Sequence, residues 1–435
     1  MVKRFHEIRD PIHVFIRLST DERKIVDSAP FQRLRHIHQL ALTYLVYPGA
    51  THKRFEHSLG VMELASRVFD VITQPDNLTD KIKKSIKEIT NQKKLIYWKQ
   101  VLRVAALCHD LGHLPFSHAA EDKLLPKGWN HERLTMEIIR SDEMKVIWNN
   151  MELQEDDIIK LALGPKKAKD FTFSTWERIL ADIIVGDSFG VDRMDYLLRD
   201  SYHAGVAYGK FDHYRLIDTL RILPTSPSDK SGYSQEPVLG IEQGGLQSAE
   251  ALLLARYFMY SQVYYHPVRR IYDIHLIDFL KSWLPTGYFP TDVKEHLKLT
   301  DNEITSAMSE AIEKSSLGYD HARRIIQRQH FKLLYQRNPD DFIEAARKIY
   351  NAACIEFDEG NLRKDSIPKK DSPEPYFPVL IHDGRIISSL SLSQALRNIP
   401  NVIVDYVFVE PTLRDKAEKW LNENREKIVT KDREE

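Results

Sequence analysis

Residues 105–122 read AALCHDLGHLPFSHAAED, and they close an apolar run, Val101 to Cys108, that ends abruptly in His109-Asp110. A helix that is apolar nearly all round is a buried one. Its end therefore carries an imidazole and a carboxylate into the interior, where neither is tolerated without a partner. A single His-Asp pair in such a place reads most simply as a core hydrogen bond. Here His113 follows three residues on, Pro115 interrupts the helix, and His118 and Glu121 stand in the next polar segment. That concentration of titratable groups favours a metal or catalytic site whose partners lie elsewhere in the chain.

The chain has 435 residues, enough for a large core and for two to three domains. Hydrophobic content of 42% and charged content of 29% are those of an ordinary globular protein. A net charge of −1 argues against a dedicated nucleic-acid binder or a polybasic membrane module, so an anionic ligand must be held by local cations. The two cysteines, Cys108 and Cys354, form no C-x-x-C pair, which excludes disulfide and thiolate-zinc frameworks. The N-terminus, MVKRFHEIRD, has no apolar leader region, and no stretch approaches the roughly 18 apolar residues of a membrane helix. The expected compartment is the cytoplasm.

Taken in order, residues 8–18 alternate like a strand or hairpin arm, and a helix starts at Thr20-Asp21. FQRLRHIHQL (31–40) places Phe31, Leu34, Ile37 and Leu40 on one helical face, and a further helix is expected from Glu56 to Ile72. Asn130 is a suitable N-cap for a helix that carries His131 and Glu132 in its first turn. Helices follow over 156–163, 174–187 and from Val191. Residues 221–243 read as a β-hairpin inserted between helices around a Ser/Pro/Gly centre. A long helix is expected from Leu246 to His266, closed by Pro267. Thr300 with Glu303 forms a capping box, and HARRIIQRQHFKLLYQR (321–337) suggests another amphipathic helix. Beyond about residue 330 the texture changes: a charged linker, NLRKDSIPKKDSPEP (361–375), precedes strand-like PVLIHDG, RIISSL and VIVDYVFVEP. The expected fold is mostly α, a helical core over 1–330 with a small hairpin insertion, followed by an α+β part over 331–435.

A divalent cation bound by hard-to-borderline ligands needs His and carboxylate groups converging from different elements, with positions left open for water and substrate. Four placements stand out: His57 near a helix start, His109 and Asp110 at the end of the buried helix, and Asp192 at another helix start. Taken alone, a His one turn into a helix is usually structural, and an Asp at a helix start is usually an N-cap. The ordered set H…HD…D, each at a helix terminus, resembles the HD-domain metal phosphohydrolase superfamily. FQRLRHIHQL, YPGATHKRFEHSLGV, HDLGHLPFSH, WNHE and DRMDYLLRD are similar to the deoxynucleoside triphosphate triphosphohydrolases of that superfamily, a group of bacterial enzymes and the vertebrate restriction factor. The similarity runs in order from about residue 8 to 335.

That resemblance implies His57, His109, Asp110 and Asp192 as ligands of a divalent ion, with Mn, Fe, Ni, Co, Zn and Mg all compatible with such a set. It implies His113, His118, Glu121 and His131 in the catalytic pocket. In the family a cation-activated water attacks the α-phosphorus, giving a deoxynucleoside and inorganic triphosphate. The departing 5′-oxygen needs a proton, which a His poised near neutrality can supply. His118 is the expected general acid, Glu121 its orienting partner, and His113 or His131 a phosphate contact. The resemblance places Arg54, Arg193 and Arg256 against the triphosphate and Gln39, Tyr196 and Asp200 near the sugar, where a close aromatic would exclude a ribose hydroxyl. Asp27, Gln32 and Arg35 match positions that read guanine at an activating GTP or dGTP site between subunits in some relatives. That implies an oligomer, a homotetramer or a homodimer.

The chain departs from the family pattern at five positions. Leu114 stands where a small Gly is usual, which would narrow the pocket floor. Arg193 replaces a frequent Lys, turning a point charge into a planar fork. Tyr260 and Gln262 fall where some relatives carry His and Arg, and Pro267 where they carry Lys. Two other functions keep part of this evidence. One is an HD phosphohydrolase acting on another nucleotide, as a 5′-nucleotidase, cyclic-nucleotide phosphodiesterase or alarmone hydrolase. The other is a nucleotide-sensing module with little turnover.

Overall fold

The chain opens with an antiparallel hairpin, β1 (Phe5–Asp10) and β2 (Val14–Ser19), paired from Phe5↔Ser19 to Asp10↔Val14. This computed structural model describes residues 5–119, 121–224, 236–367 and 376–429. Ser19 and Glu22 close a capping box that starts α1 (Thr20–Val26), and α2 (Ala29–Arg33) follows. The helix expected over 31–40 stops at Arg33 and tightens into a 3-10 turn, Leu34–His36. Its four apolar residues are nonetheless all buried. Burial alone does not fix the helical period.

The helical core is built on α3 (Arg54–Ile72) and α5 (Gln92–Cys108), which pack side by side, with the short α4 (Asp80–Ser85) between them in sequence. Val101, Leu102, Val104 and Leu107 are fully buried in α5, each worth about 1.5–3 kcal/mol of apolar burial. The helix ends at Cys108, well before Pro115. The chain then turns against the start of α7 (His131–Ile139), after the four-residue α6 (Glu121–Leu124). Gly112 permits that approach: a Cβ there would lie 2.2 Å from the His131 carbonyl and 2.3 Å from the Thr135 nitrogen. The remaining core helices are α8 (Asp142–Met151), α9 (Glu155–Lys167), α10 (Thr175–Val185), α11 (Val191–Ala204) and α12 (His213–Asp218).

The inserted hairpin is present as β3 (Leu220–Pro224) and β4 (Pro237–Glu242), antiparallel; its expected Ser/Pro/Gly centre lies outside the described residues. The expected 246–266 helix is α13 (Leu246–Met259) continued by a π-helical turn, Tyr260–Tyr264. Pro267 opens the next helix, α14 (Pro267–Trp283), at its N-terminal position, where its missing N–H is harmless. Then come α15 (Val293–Leu297), α16 (Asp301–Lys314) with the Thr300–Glu303 capping box, and α17 (Tyr319–Ile326). The amphipathic helix expected over 321–337 breaks there, because KLLYQ is β5 (Lys332–Gln336), a strand edge with β-branched and aromatic neighbours rather than a helix face.

After α18 (Ala345–Phe357), six residues of the expected linker are also a strand, β6 (Leu362–Ile367); residues 368–375 of it lie outside the described residues. Then follow β7 (Pro378–Leu380), β8 (Ile386–Ser388), α19 (Ser389–Leu392), α20 (Gln394–Arg397), β9 (Val404–Val409) and α21 (Arg414–Val429). Strands β5, β9 and β6 form one sheet, whereas β7 and β8 extend the hairpin into a four-stranded sheet, β3-β4-β7-β8. The chain beyond residue 330 thus supplies strands to both. The mostly α class, with an inserted hairpin and an α+β C-terminal part, is the architecture observed.

Two apolar cores meet at the HDLGHLPF turn. Leu111 belongs to the core of α3, α5, α9, α10 and α11, while Leu114 and Phe116 belong to a second, with Leu134, Leu276 and Phe289. Leu114 is fully buried there, so it fills core space rather than narrowing a pocket floor.

Candidate metal centre and active site

Three helix termini deliver the four expected ligands to one place. His57 sits one turn into α3, His109 caps the end of α5 with Asp110 beside it, and Asp192 is in the first turn of α11. The Nε2 atoms of His57 and His109 lie 3.1 and 3.7 Å from Asp192 Oδ1. Ligand atoms of His57, His109 and Asp192 all fall within 4.8 Å of one another. Asp110 flanks this trio, with Oδ1 3.3 Å from His109 Nε2 and Oδ2 3.7 Å from His57 Nε2. It also takes Arg54 Nη1 at 2.5 Å and faces His113 Nε2 at 3.2 Å.

Both imidazoles are aimed inward by the atom on their other side. His109 Nδ1–H donates to the Ala106 carbonyl at 2.8 Å, leaving Nε2 buried and without a hydrogen-bond partner. His57 Nδ1–H donates to Asp195 Oδ2 at 2.8 Å. A carbonyl or carboxylate behind the ring is how proteins orient metal-binding histidines. Burial disfavours a charge on His57, yet Asp192, Asp195 and Asp110 more than reverse this and lift its pKa to about 10. The carboxylates that favour a proton there favour a divalent cation equally. Asp110 and Asp192 resist burial and stay well below the usual carboxylate range, Asp110 through Arg54, His109 and His113, Asp192 through His109 and His57. Two imidazoles and two carboxylates, one ring nitrogen of them unsatisfied, fit a divalent ion such as Mn, Fe, Ni, Co, Zn or Mg.

Beside this cluster stand three more rings. His113 stacks on His131 with centroids 4.1 Å apart, and His118 meets both edge-on at 4.6 and 5.0 Å. Glu121 ties them together: Oε2 accepts from His118 Nδ1 at 3.0 Å, and Oε1 accepts from His131 Nδ1 at 2.6 Å and from its backbone N–H at 2.8 Å. Glu121 is pushed below its ordinary pKa despite burial, because His118 and His131 both donate to it. Burial, Arg54 and His131 hold His113 neutral. The His118 side chain is 61% exposed, which leaves its Nε2 free to face a ligand.

Pro115 is the second residue of the turn that leads to His118, which the Ser117 N–H closes on the Leu114 carbonyl at 2.9 Å, a position its fixed φ suits. Phe116 and Ser117 take positive φ values of 56° and 57°, a conformation L-residues rarely adopt. Asp301 accepts the Phe116 N–H at 2.6 Å, and Ser117 Oγ donates to the His38 carbonyl at 2.6 Å while accepting Arg54 Nε at 2.8 Å. Such strain persists only where surroundings over-determine it, and it clusters at functional sites.

The expected substrate residues divide into groups. Arg54 is buried against Asp110 of the candidate metal-binding group. Arg193, Tyr196, Arg256 and Tyr260 form a second group: Arg193 and Arg256 act on the Tyr196 hydroxyl, and Arg256 lies 5.6 Å from the Tyr260 ring. Asp200 is buried with both oxygens engaged, by His52 Nε2 at 2.7 Å and the Tyr264 hydroxyl at 2.7 Å. Gln39 keeps a buried Oε1 without a partner. Of the three guanine-reading positions, Gln32 and Arg35 are bonded at 2.9 Å and Arg35 covers the Phe55 ring at 3.4 Å, whereas Asp27 pairs with Arg23. Reading the residues in order missed His13, Asp195 and Arg199, which back His57, and Asp301. A signal for two of these was present: Asp195 and Arg199 fall three and seven residues after Asp192, on the same face of α11.

A profile described as HD domain matches residues 54–170, and one described as HD associated region matches residues 211–359. The chain is 31% identical over 361 residues to the uncharacterized protein YwfO of Bacillus subtilis, covering 78% of this chain and 73% of that one. The chain belongs to the HD-domain phosphohydrolase family, in the branch that carries an HD-associated region. A crystal structure of a hypothetical protein from Aquifex aeolicus is 33% identical, with a TM-score of 0.76, and the match covers 96% of this chain and all of that one. The uncharacterized protein MJ1154 of Methanocaldococcus jannaschii is 40% identical over 266 residues, 61% of this chain and 47% of that protein. The deoxynucleoside triphosphate triphosphohydrolase SAMHD1 of Mus musculus is 29% identical over 76% of this chain and 54% of its own. The chain spans about half the length of these last two relatives. Among the described residues no helix is long and apolar enough to cross a membrane.

Proposed function

We propose that this chain is a metal-dependent dNTP triphosphohydrolase, cleaving a dNTP to a deoxynucleoside and inorganic triphosphate. The observation that carries the proposal is the packing of the His57/His109/Asp110/Asp192 cluster against Arg54 and the His113/His118/His131–Glu121 group. Similarity to an enzyme named for this reaction selects it among phosphoryl chemistries.

A divalent cation held by His57, His109, Asp110 and Asp192 would lower the pKa of a water and polarise a phosphoryl oxygen. The chain's own residues do the rest. Arg54 meets charge on the α-phosphate from its place between Asp110 and Ser117, while Arg193 and Arg256 neutralise the distal phosphates. His113 or His131 contacts a phosphate oxygen. His118, held through Nδ1 by Glu121, gives its Nε2 proton to the departing 5′-oxygen. Desolvation, with His131 and Arg54, holds this ring below its ordinary pKa, and the Glu121 carboxylate is what opposes that and favours the imidazolium. Tyr196 packs under the deoxyribose, where a 2′-hydroxyl would be buried without a partner. Gln39 offers its unpaired Oε1 to the sugar, and Asp200 acts through the Tyr264 hydroxyl it orients.

Activation follows from a guanine nucleotide, GTP or dGTP, at Asp27, Gln32 and Arg35, at an interface of a homotetramer. Residues 1–330 form the hydrolase core, and 331–435 serve subunit contact or regulation in the cytoplasm. A product assay across the eight NTPs and dNTPs with Mn2+, with and without GTP, tests this. Triphosphate from dNTPs is expected. Release of only orthophosphate or pyrophosphate, or turnover that survives Asp110→Ala, overturns the reading.

A further inference from the structure

The tip of the N-terminal hairpin, far from His57 in sequence, ends behind the candidate metal centre, against the carboxylate that backs His57. His13 is buried and its Nε2 donates to Asp195 Oδ1 at 2.7 Å. Arg199 grips the same carboxylate through Nη2 to Oδ1 at 2.9 Å and Nε to Oδ2 at 2.8 Å. His57 Nδ1 completes the set on Oδ2. One buried carboxylate thus receives four donors, and nothing on it is left free to turn. Arg199 is itself anchored to Asp10 at 2.8 Å, and Asp10 Oδ1 accepts the N–H groups of Ile12 and His13 at 2.9 and 2.8 Å.

The backbone at the tip is bent to make this reach. Phe15 N–H bonds back to the His13 carbonyl at 2.8 Å, a three-residue turn around Val14, whose φ is +66°. A β-branched residue in that region is an outlier, and a turn of this kind is rare and strained. The consequence is directional: Val14 and Phe15 stand half exposed while His13 is driven inward. Space for the carboxylate is kept by Gly60, where a Cβ would lie 1.9 Å from Asp195 Oδ1.

We propose that His13 is a positioning residue for the cation: by holding Asp195, it fixes the ring and tautomer of His57, so the hairpin tip sets metal affinity. This rests on His57 being a ligand, as argued above. Partners behind a metal-binding His typically change affinity 10–100-fold when removed.

The test is Mn2+ alone, titrated into the full chain and followed by the EPR signal of the free ion. His13→Ala is expected to weaken binding about tenfold. His13→Gln, whose amide can donate along the same line, is expected to recover most of the loss, and Phe15→Ala on the outer face of the hairpin to bind as the parent does. Where the alanine variant does not fold, His13→Asn, one methylene short of Asp195, carries the same expectation. Parent, His57→Ala and Asp192→Ala binding Mn2+ alike would remove the metal centre itself. Loss of Mn2+ in those two, with a folded His13→Ala or His13→Asn binding within about twofold of the parent, would overturn only the positioning role. A loss that His13→Gln does not recover would overturn the hydrogen-bond mechanism in favour of packing.

Discussion

The Asp301 carboxylate accepts the Phe116 backbone N–H at 2.6 Å across a separation of 185 residues. Its other oxygen takes the N–H and Nδ1 of His38, both at 2.7 Å. A residue of the HD-associated region therefore clamps the strained turn on which His118 is mounted.

Removing that clamp leaves three donors without their acceptor, and a buried donor so stranded costs about 1–3 kcal/mol. Asp301→Ala is expected to lower stability by at least that amount in urea unfolding. Its kcat should fall more than its KM changes, since substrate contacts survive while His118 shifts. Unchanged kcat would show that the turn holds its shape without Asp301.

Gly60→Ala sets a methyl group 1.9 Å from Asp195 Oδ1 and 2.5 Å from Arg199 Nη2. Both side chains are buried and cannot swing into solvent. Breaking a buried ion pair costs about 3–5 kcal/mol, so denaturant midpoints should drop sharply. Gly205→Ala is the comparison: φ is +72° but the space is open, and a loss of about 1 kcal/mol is expected. Equal losses in the two variants would contradict the packing argument.

Acid should weaken the HD-associated region through His275. Its Nε2 accepts the Phe331 N–H at 3.3 Å, which only the neutral ring can do. Burial, with Arg324, His321 and Arg363 nearby, depresses its pKa to about 2 from 6.5. A depressed folded-state pKa means that the unfolded chain protonates first. The contribution is complete above pH 6.5 and is lost progressively as pH falls toward 2. Thermal melts from pH 7.5 down to 4.5 should show a declining Tm in the parent and a shallower decline in His275→Gln. Parallel slopes would remove His275 as the source.

The proposed function gives sugar selection to Tyr196, whose ring stands 6.2 Å from that of Tyr264. Tyr196→Ala is expected to narrow the ratio of dNTP to NTP turnover by about tenfold or more, as a steric exclusion is relieved. Competition between dATP and ATP measures this directly. An unchanged ratio would mean that discrimination lies elsewhere.

Arg35 links the proposed activator site to the core, because its guanidinium covers Phe55, next to Arg54 and two residues before His57. Arg35→Ala should raise the GTP concentration needed for half-maximal stimulation by about tenfold, the loss of one charge-assisted contact of roughly 1.5 kcal/mol. Identical activation curves would exclude Arg35 from that site.

Much of this protein was legible residue by residue. The apolar run into His109-Asp110, the cap at Asn130 and the Thr300–Glu303 box are local signals, because helix burial and capping are decided within a few residues of chain. They put His109 and Asp110 at the end of α5 and His131 in the first turn of α7, where the structure has them, but left His118 and Glu121 in an unassigned polar segment. The misreadings were also local ones. KLLYQ carries apolar residues compatible with either period, and only pairing with β9 makes it a strand; the π turn at Tyr260–Tyr264 leaves no mark in composition. What tertiary structure alone decided is how the HDLGHLPFSH stretch and His57 are held. Single buried polar side chains, Asp301 on Phe116 and His13 on Asp195, do that work from distant positions. A lone Asp or His has no periodic neighbour to announce it, and its partner is set only when the helices and the hairpin have packed.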